Sequence, residues 1–494
     1  MASSILSIDA GTSGIRTVLY NHKSEPLGYS YETISQMTPA SGLLEQDPLE
    51  ILNMIQRLIK VTIQKAGVAP SDIASLGVAT QRASVVAWDA FTGKPKYPAL
   101  IWQDLRTIDR CKELSQKTGM NVSPIWSLTK VEWLLTHIED GYERFRRQEL
   151  LVGTLDSWII WNVTKERAFV TDPSNACSTG LYDVHKGAWS QKAADLIGIS
   201  TSWLADVKPS SHLFGHTTRE WIGAEIPVAA VAGDQQSALI GHLCLDKGAM
   251  KATYGTSVMV NVNTGTEKIQ GQSSFTLALA RIDQDDFFCN EGTVITGGAS
   301  VGWLSDLALI DSYEHLVALT DEVADSDGVQ FIPALQGLGT PYMNAHVKGA
   351  IFGLTRATTP AHIAHAVLEG IAFRTKQVVE TLAEEAGVTI SELKVDGGMA
   401  ANDHFLQVQA DVLGIPVERP ATNQVTSLGV AYLAGLAIHY WDSIEDIRSD
   451  RKPGTMVYPS INRKRLQKSY ESWLEMVALL LKQTEKEFES RGVE

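Results

Sequence analysis

The chain has 494 residues, 44% hydrophobic and 20% charged, which is ordinary globular usage and excludes a disordered, collagen-like or coiled-coil protein. Lys and Arg number 42 against 57 for Asp and Glu, a formal net charge of −15, so nucleic acid and anionic lipid are repelled and neither is expected as a partner. Four cysteines, Cys111, Cys177, Cys244 and Cys289, lie far apart with no CxxC spacing; this predicts reduced thiols, with neither a disulfide framework nor a zinc site. At roughly 150 residues per domain the length asks for three domains or two large ones. The N-terminal MASSILSIDAG has no basic leader, and no window reaches 18 uncharged apolar residues, so a cytoplasmic protein is expected.

Short β-type runs alternate with helical patterns, which argues for an α/β fold. Ile5 to Ile8 reads as a strand ending at Asp9, and Arg16 to Tyr20 as the next, joined by the loop Asp9-Ala10-Gly11-Thr12-Ser13-Gly14. A helix is predicted over 48–66, with Asp47 as N-cap and Pro48 at its first position. Strand-like segments follow at 75–79, 85–88 and 150–153. A further apolar run, Val228 to Ala232, ends in Gly233-Asp234 and leads into a helical stretch containing Ser237 to Ile240. Next comes a second small, hydroxyl-rich turn, Lys251 to Ser257, flanked by Val258 to Val262. Two such turns about 240 residues apart suggest a duplicated architecture. A third small-residue turn, Asp396 to Asn402, follows the strand Leu393 to Val395 and precedes a helix over 403–413. Over 463–485, Leu466, Tyr470, Trp473, Leu474, Val477, Leu480 and Leu481 share one helical face, which predicts a helix docked on the body of the protein.

The first loop carries chemistry on physical grounds. Gly11, Thr12, Ser13 and Gly14 offer successive main-chain N–H groups and two hydroxyls, a cradle for a phosphate. Asp9 beside it is suited to hydrated Mg2+. An ordinary hairpin, with Asp9 accepting from the turn, fits the same residues equally well. The loop matches neither GxxxxGK[ST] nor GxGxxG. Asp234 stands at the C-terminal end of an apolar strand, where α/β proteins build their ligand crevice, and there it can take a proton from a hydroxyl; a helix N-cap is the alternative.

Taken together, DAGTSGIR at 9–16, TQR at 80–82, IWQDLRT at 101–107, GTLDSWIIW at 153–161 and TDPSNACSTGLYD at 171–183 resemble the FGGY family of carbohydrate kinases. So do AGDQQSALIG at 232–241, TYGTS at 253–257, GAIFGLTRATTPAHIAHAVLE at 349–369 and VDGGMAANDHFLQVQADVLG at 395–414, with Ser127 to His137 fitting the family's N-terminal signature. The motifs occur in family order from about residue 4 to 445, and AGDQQ, WQ and TYGT resemble the glycerol kinase branch. The resemblance implies two actin-like (ribonuclease H-like) ATPase domains, 1–244 and 245–494, with the active site in the cleft between them. It implies ATP and Mg2+ as cofactors, a small polyol or sugar as substrate, and a homodimer as a family-level expectation. Gly11, Thr12 and Ser13 on one side, and Gly255 and Thr256 on the other, then meet the ATP phosphates, and Arg16 and Gly298 belong to the ATP-binding set. Gly398 and Asn402 match the adenosine-binding segment. Asp9 binds the metal through water, and Asp234 is the general base as well as a metal neighbour. Arg82, Trp102 and Gln235 match substrate-contacting positions.

Three positions depart from the glycerol kinase pattern. Ala83 replaces a Glu that follows the arginine matched by Arg82, Ile125 replaces a Tyr, and Met259 replaces a Phe. Asp104, two residues after Trp102, is the nearest acid that can take over the substrate hydroxyls; its alternative is a structural carboxylate paired with Arg106 or Arg110. The resulting expectation is an ATP-dependent kinase of a polyol or sugar other than glycerol. A divergent glycerol kinase and a non-catalytic actin-like ATP-binding protein are the alternatives, and the absence of GxGxxG disfavours a dehydrogenase.

Overall fold

The computed structural model describes residues 4–460 and 463–491. The chain divides into two compact units: Met1–Leu243, Leu277–Phe288 and Gln424–Arg451 form the first; Cys244–Thr276, Cys289–Asn423 and Lys452–Glu494 form the second. The chain leaves the first unit after Leu243 and returns to it twice, over Leu277–Phe288 and Gln424–Arg451.

The first unit is built on the strand Ser4–Ala10. On one side it pairs antiparallel with Gly14–Tyr20, which pairs in turn with Pro26–Thr33. On the other it runs parallel to Ile73–Thr80, itself parallel to Pro227–Gly233. The buried runs of these central strands are nearly continuous, as expected for strands covered on both faces. One face is covered by the helix Pro48–Ala66, whose bounds are those read from the sequence: the Asp47 carboxylate accepts from Leu49 N at 2.8 Å, and Gly67 closes the helix at φ 65. The helix Val425–Ala437 lies so close to Asp234–Gly241 that a Cβ on Gly429 would stand 1.8 Å from the Ser237 carbonyl oxygen, and one on Gly241 1.9 Å from that of Val425. Only glycine permits that approach. A smaller sheet, ordered Glu45–Gln46, Ala99–Leu100, Val85–Asp89 and Leu150–Thr154, has its own apolar cluster that includes Leu128, Val131, Leu134 and Phe145.

The second unit repeats the plan. The strand Met250–Tyr254 pairs antiparallel with Val258–Gly265 and parallel with Leu393–Asp396, as Ser4–Ala10 pairs with Gly14–Tyr20 and Ile73–Thr80. The second turn is shorter than the sequence suggests. Lys251 to Tyr254 belong to the strand, because Ala252 and Tyr254 are buried opposite Val260 and Val258, and only Gly255 to Ser257 turn. The third turn contains a single 3-10 turn, Gly398–Ala401, before the helix Asp403–Leu413. The last helix runs Arg463–Arg491, beyond the predicted end. Its Leu466, Tyr470, Trp473 and Val477 are buried in the core of this unit, with Leu474, Leu480 and Leu481 half-buried against it. All four cysteines are buried. No described helix is long and apolar enough to cross a membrane.

Candidate active site

Strand register brings the first unit's candidates together. Ala10 faces Thr80, and Thr80 faces Gly233, so three parallel strands end side by side. Asp9, Arg82 and Asp234 therefore emerge at one sheet edge, the C-terminal edge at which such sheets bind ligands. Arg82 Nε lies 3.5 Å from Asp234 Oδ1, an oxygen that also accepts Gln235 N at 2.8 Å. The arginine stem packs flat over Gly233, where a Cβ would come within 2.8 Å of it. Asp234 is also the first residue of the helix Asp234–Gly241, whose N-terminal dipole favours its ionised form.

Asp9 is mostly buried, its side chain 13% exposed, with Arg16 Nη1 at 3.4 Å. Burial pushes its carboxyl up to about 6; the negative charge of Asp234 acts in the same direction, and the Arg16 guanidinium against it. Arg16 also faces the Tyr31 ring. Two carboxylates held close enough to repel, one of them burdened by desolvation, suit a divalent cation. The residues present fit Mg2+, which Asp9 and Asp234 would hold and which would supply charge neutralisation for phosphate.

The first turn is tied down from outside. Gly11 N donates to Gly14 O at 3.0 Å, so that amide is spent within the turn. The carbonyl of Thr12 accepts from Gln46 Nε2 at 2.9 Å and Gln36 Nε2 at 3.1 Å, and its hydroxyl accepts from the Trp102 indole N–H at 2.8 Å. Ser13 remains exposed. In the second unit, Gly298 N donates to Gly255 O at 2.9 Å, and both Gly297 N and Ala299 N donate to Thr256 O. A Cβ on Gly298 would meet Gly255 O at 2.6 Å, so that glycine serves packing within the unit.

Gly11, Gly255 and Gly398 differ from Gly298 in a telling way. A Cβ on Gly11 would find its nearest neighbour at 3.5 Å, on Gly255 at 3.6 Å, and on Gly398 nothing within 4 Å. The fold does not require glycine at these three places. Bare backbone there leaves room for a ligand to approach, which fits ATP. Asn402 caps the helix Asp403–Leu413, its Oδ1 accepting from Phe405 N at 2.9 Å.

Asp104 departs from expectation. It is fully buried, and its two oxygens accept four hydrogen bonds: Oδ1 from Arg106 N at 3.0 Å and Nε at 2.8 Å, Oδ2 from Arg106 Nη2 at 2.9 Å and Leu44 N at 2.7 Å. A carboxylate offers about four lone-pair sites. None is left for a substrate, so the expected contact is replaced by the structural pairing with Arg106, which also binds Glu45 at 2.6 Å. Arg110 pairs instead with Glu132 and Glu113.

Several supporting residues escape a sequence reading. Gln36 and Gln46 carry no signal. Gln81, which donates to Gln46 Oε1 at 2.8 Å, sits inside the TQR segment. Asp172 is buried and accepts from Ser174 Oγ and Ser210 Oγ, while Ser174 Oγ accepts from Gly233 N at 2.8 Å. The TDPSNA segment thus braces the backbone next to Asp234.

The fold and this site define a two-unit α/β phosphotransferase of actin-like, ribonuclease H-like architecture. The model of the N-terminal domain of the FGGY family of carbohydrate kinases matches residues 4–241, and that of the C-terminal domain residues 250–438. The chain belongs to the FGGY family of carbohydrate kinases and is an ATP-dependent phosphotransferase that uses Mg2+. Glycerol kinase 2 of Thermotoga maritima is 39% identical over 96% of this chain and 98% of its own length. A glycerol kinase of Caldanaerobacter subterraneus subsp. tengcongensis is 38% identical over 98% of this chain and 100% of its own. Among solved structures, Plasmodium falciparum glycerol kinase with ADP superimposes with a TM-score of 0.90 at 30% identity, covering 97% of this chain and 98% of that one.

Proposed function

We propose that this kinase transfers the γ-phosphoryl group of ATP to a hydroxyl of a small polyol or sugar larger than glycerol. In this reading Asp234 takes the hydroxyl proton, and Arg82 beside it orients the acceptor together with Trp102 and Gln235. Asp9 and Asp234 hold Mg2+. Gly11 to Ser13, with Arg16, and Gly255-Thr256 bind the phosphates, and Gly398 and Asn402 serve the adenosine. Phosphoryl transfer asks mainly for positioning and charge neutralisation, which this set supplies.

The observation that carries the choice of acceptor is the surrounding of the Arg82–Asp234 pair. The next residue is Ala83, buried at φ 61 with no polar atom on its side chain, and the nearest acid in sequence, Asp104, is consumed by Arg106 and Leu44. Selectivity for hydroxyls comes from buried polar groups that must be paired. With no carboxylate at position 83 and Asp104 consumed, a compact triol lacks these partners, which favours a longer acceptor. Ile125 is 48% exposed, an open wall where an aromatic ring would close one.

Glycerol itself is the second reading, favoured by the names of the relatives that are 37–39% identical over nearly the whole chain. An ADP-release assay over polyols and ketoses of three to seven carbons tests the two. A higher kcat/KM for a four- to seven-carbon acceptor is expected; glycerol as the best substrate of the panel overturns the first reading in favour of the second.

A further inference from the structure

Lys130 is the third residue of the helix Leu128–His137, and its side chain is fully buried. Its ammonium donates only to main-chain carbonyls: Trp102 O at 3.3 Å, Ile125 O at 3.3 Å, Trp126 O at 3.2 Å and Pro124 O. An ammonium has three N–H groups, and these four carbonyls saturate it. No carboxylate lies within ion-pair distance of it among the described residues; a buried cation held this way is expensive to keep, and an apolar side chain would fill the same space. Burial lowers its pKa to about 8, with Asp104, Cys111 and Arg106 the charged or titratable groups that face it.

The carbonyls belong to two separate loops. One carries Trp102, whose indole reaches the first phosphate turn; the other carries Ile125. Next to Lys130 in the same helix entry, Ser127 Oγ donates to the carbonyl of Ala83 at 3.1 Å, and Thr129 Oγ1 bonds Thr107 Oγ1 at 2.8 Å. One helix start thus grips the backbone at Ala83, Trp102 and Ile125 together. We infer that Lys130 is a positioning residue for the acceptor: it fastens the Trp102 loop to the 124–126 turn as one wall and so sets acceptor affinity without touching the acceptor. This rests on the reading of Arg82 and Trp102 as acceptor contacts. Rigid placement of such walls is what converts binding into productive orientation.

The test uses the full chain with Lys130→Met and Lys130→Arg. Lys130→Met is expected to raise the acceptor KM about tenfold or more while the KM for ATP and kcat stay within about threefold, and Lys130→Arg to recover part of the loss. A folded Lys130→Met enzyme with wild-type acceptor KM, or with a rise in the KM for ATP larger than that for the acceptor, overturns the inference. Should that variant fail to fold, the wild-type enzyme answers: its acceptor KM is expected to rise between pH 7 and 9.5 while that for ATP stays level, and a flat acceptor KM counts against Lys130. Hydrogen exchange needs no substrate. In Lys130→Met, protection is expected to fall together in 102–106 and 124–128 with the central strands unchanged; loss in one loop alone, or in neither, overturns the inference. An enzyme that phosphorylates no member of the acceptor panel defeats the proposed function instead, and exchange still decides the role of Lys130.

Discussion

The turn after Asp9 and the turn after Tyr254 share a plan and differ in what holds them. Each joins two antiparallel strands, and each first strand has a parallel neighbour on its other side. The second turn is anchored by main-chain amides of 297–299, all of them small residues. The first has one main-chain anchor, Ile34 N donating to Ser13 O at 3.1 Å, and adds side chains from afar: Gln36, Gln46 and Trp102 converge on Thr12. A turn held by backbone can cradle a phosphate and do little else. A turn held by side chains transmits the state of those side chains, and Trp102 stands among the proposed acceptor contacts. Under the proposed function the second turn serves nucleotide, whereas the first turn, through Thr12 and Trp102, stands next to the proposed acceptor contacts as well.

The largest test of that contrast is Asp234→Asn, which keeps shape and removes the proton acceptor. Turnover is expected to fall about 10²–10⁴-fold with ATP affinity retained. Thr256→Ala in the second turn is expected to move the KM for ATP and leave the pH–rate profile in place. Equal losses of kcat from both variants would erase the distinction between the units.

Asp104→Ala probes the support of the first turn. The carboxylate holds Leu44 N and Arg106, and Arg106 holds Glu45, the neighbour of the Gln46 that anchors Thr12. Removing one partner of a buried ion pair is destabilising by about 3–5 kcal/mol. Thermal denaturation should show a large drop in Tm. An unchanged Tm with only the acceptor KM raised would return Asp104 to the substrate.

Next in size are the glycines. Gly11→Ala and Gly255→Ala have room within the protein, 3.5 and 3.6 Å to the nearest atom, so Tm should hold while the KM for ATP rises roughly tenfold. Gly298→Ala meets a carbonyl oxygen at 2.6 Å and should lower Tm as well. Calorimetry with and without ATP separates the two kinds of glycine.

Much of this was legible in the sequence because it is local. Asp47 and Pro48 open a helix through contacts with their immediate successors, and Leu466 to Val477 fall on one face through helical period alone. The strand–turn–strand units and the carboxylates at strand ends are likewise short-range patterns. What failed depends on distant partners. The side chain of Asp104 is as acidic in the sequence as that of Asp234, and only Leu44, 60 residues away, together with the fold of Arg106 back onto it, decides that it is structural. The returns of 277–288 and 424–451 to the first unit are invisible for the same reason: they are fixed by packing such as that of Gly429 on Ser237, not by local composition. Lys130 lay inside a recognised segment, yet its role appears only once Trp102 and Ile125 are seen on the same ammonium.

The smallest effect is the most discriminating. Trp102→Phe keeps the ring and removes the indole N–H that reaches Thr12 at 2.8 Å. A single hydrogen bond of this kind is worth about 1 kcal/mol, so a roughly fivefold rise is expected in the KM for ATP as well as for the acceptor. Thr12→Val removes the other end of the same bond. If the bond is what joins acceptor side to phosphate turn, the double variant should be little worse than either single one, because the second change finds nothing left to break. Additive losses would mean that Trp102 and Thr12 act separately. The first turn would then be held by Gln36, Gln46 and the main-chain bonds Gly11 N to Gly14 O and Ile34 N to Ser13 O, and it would be no more a coupling element than the second.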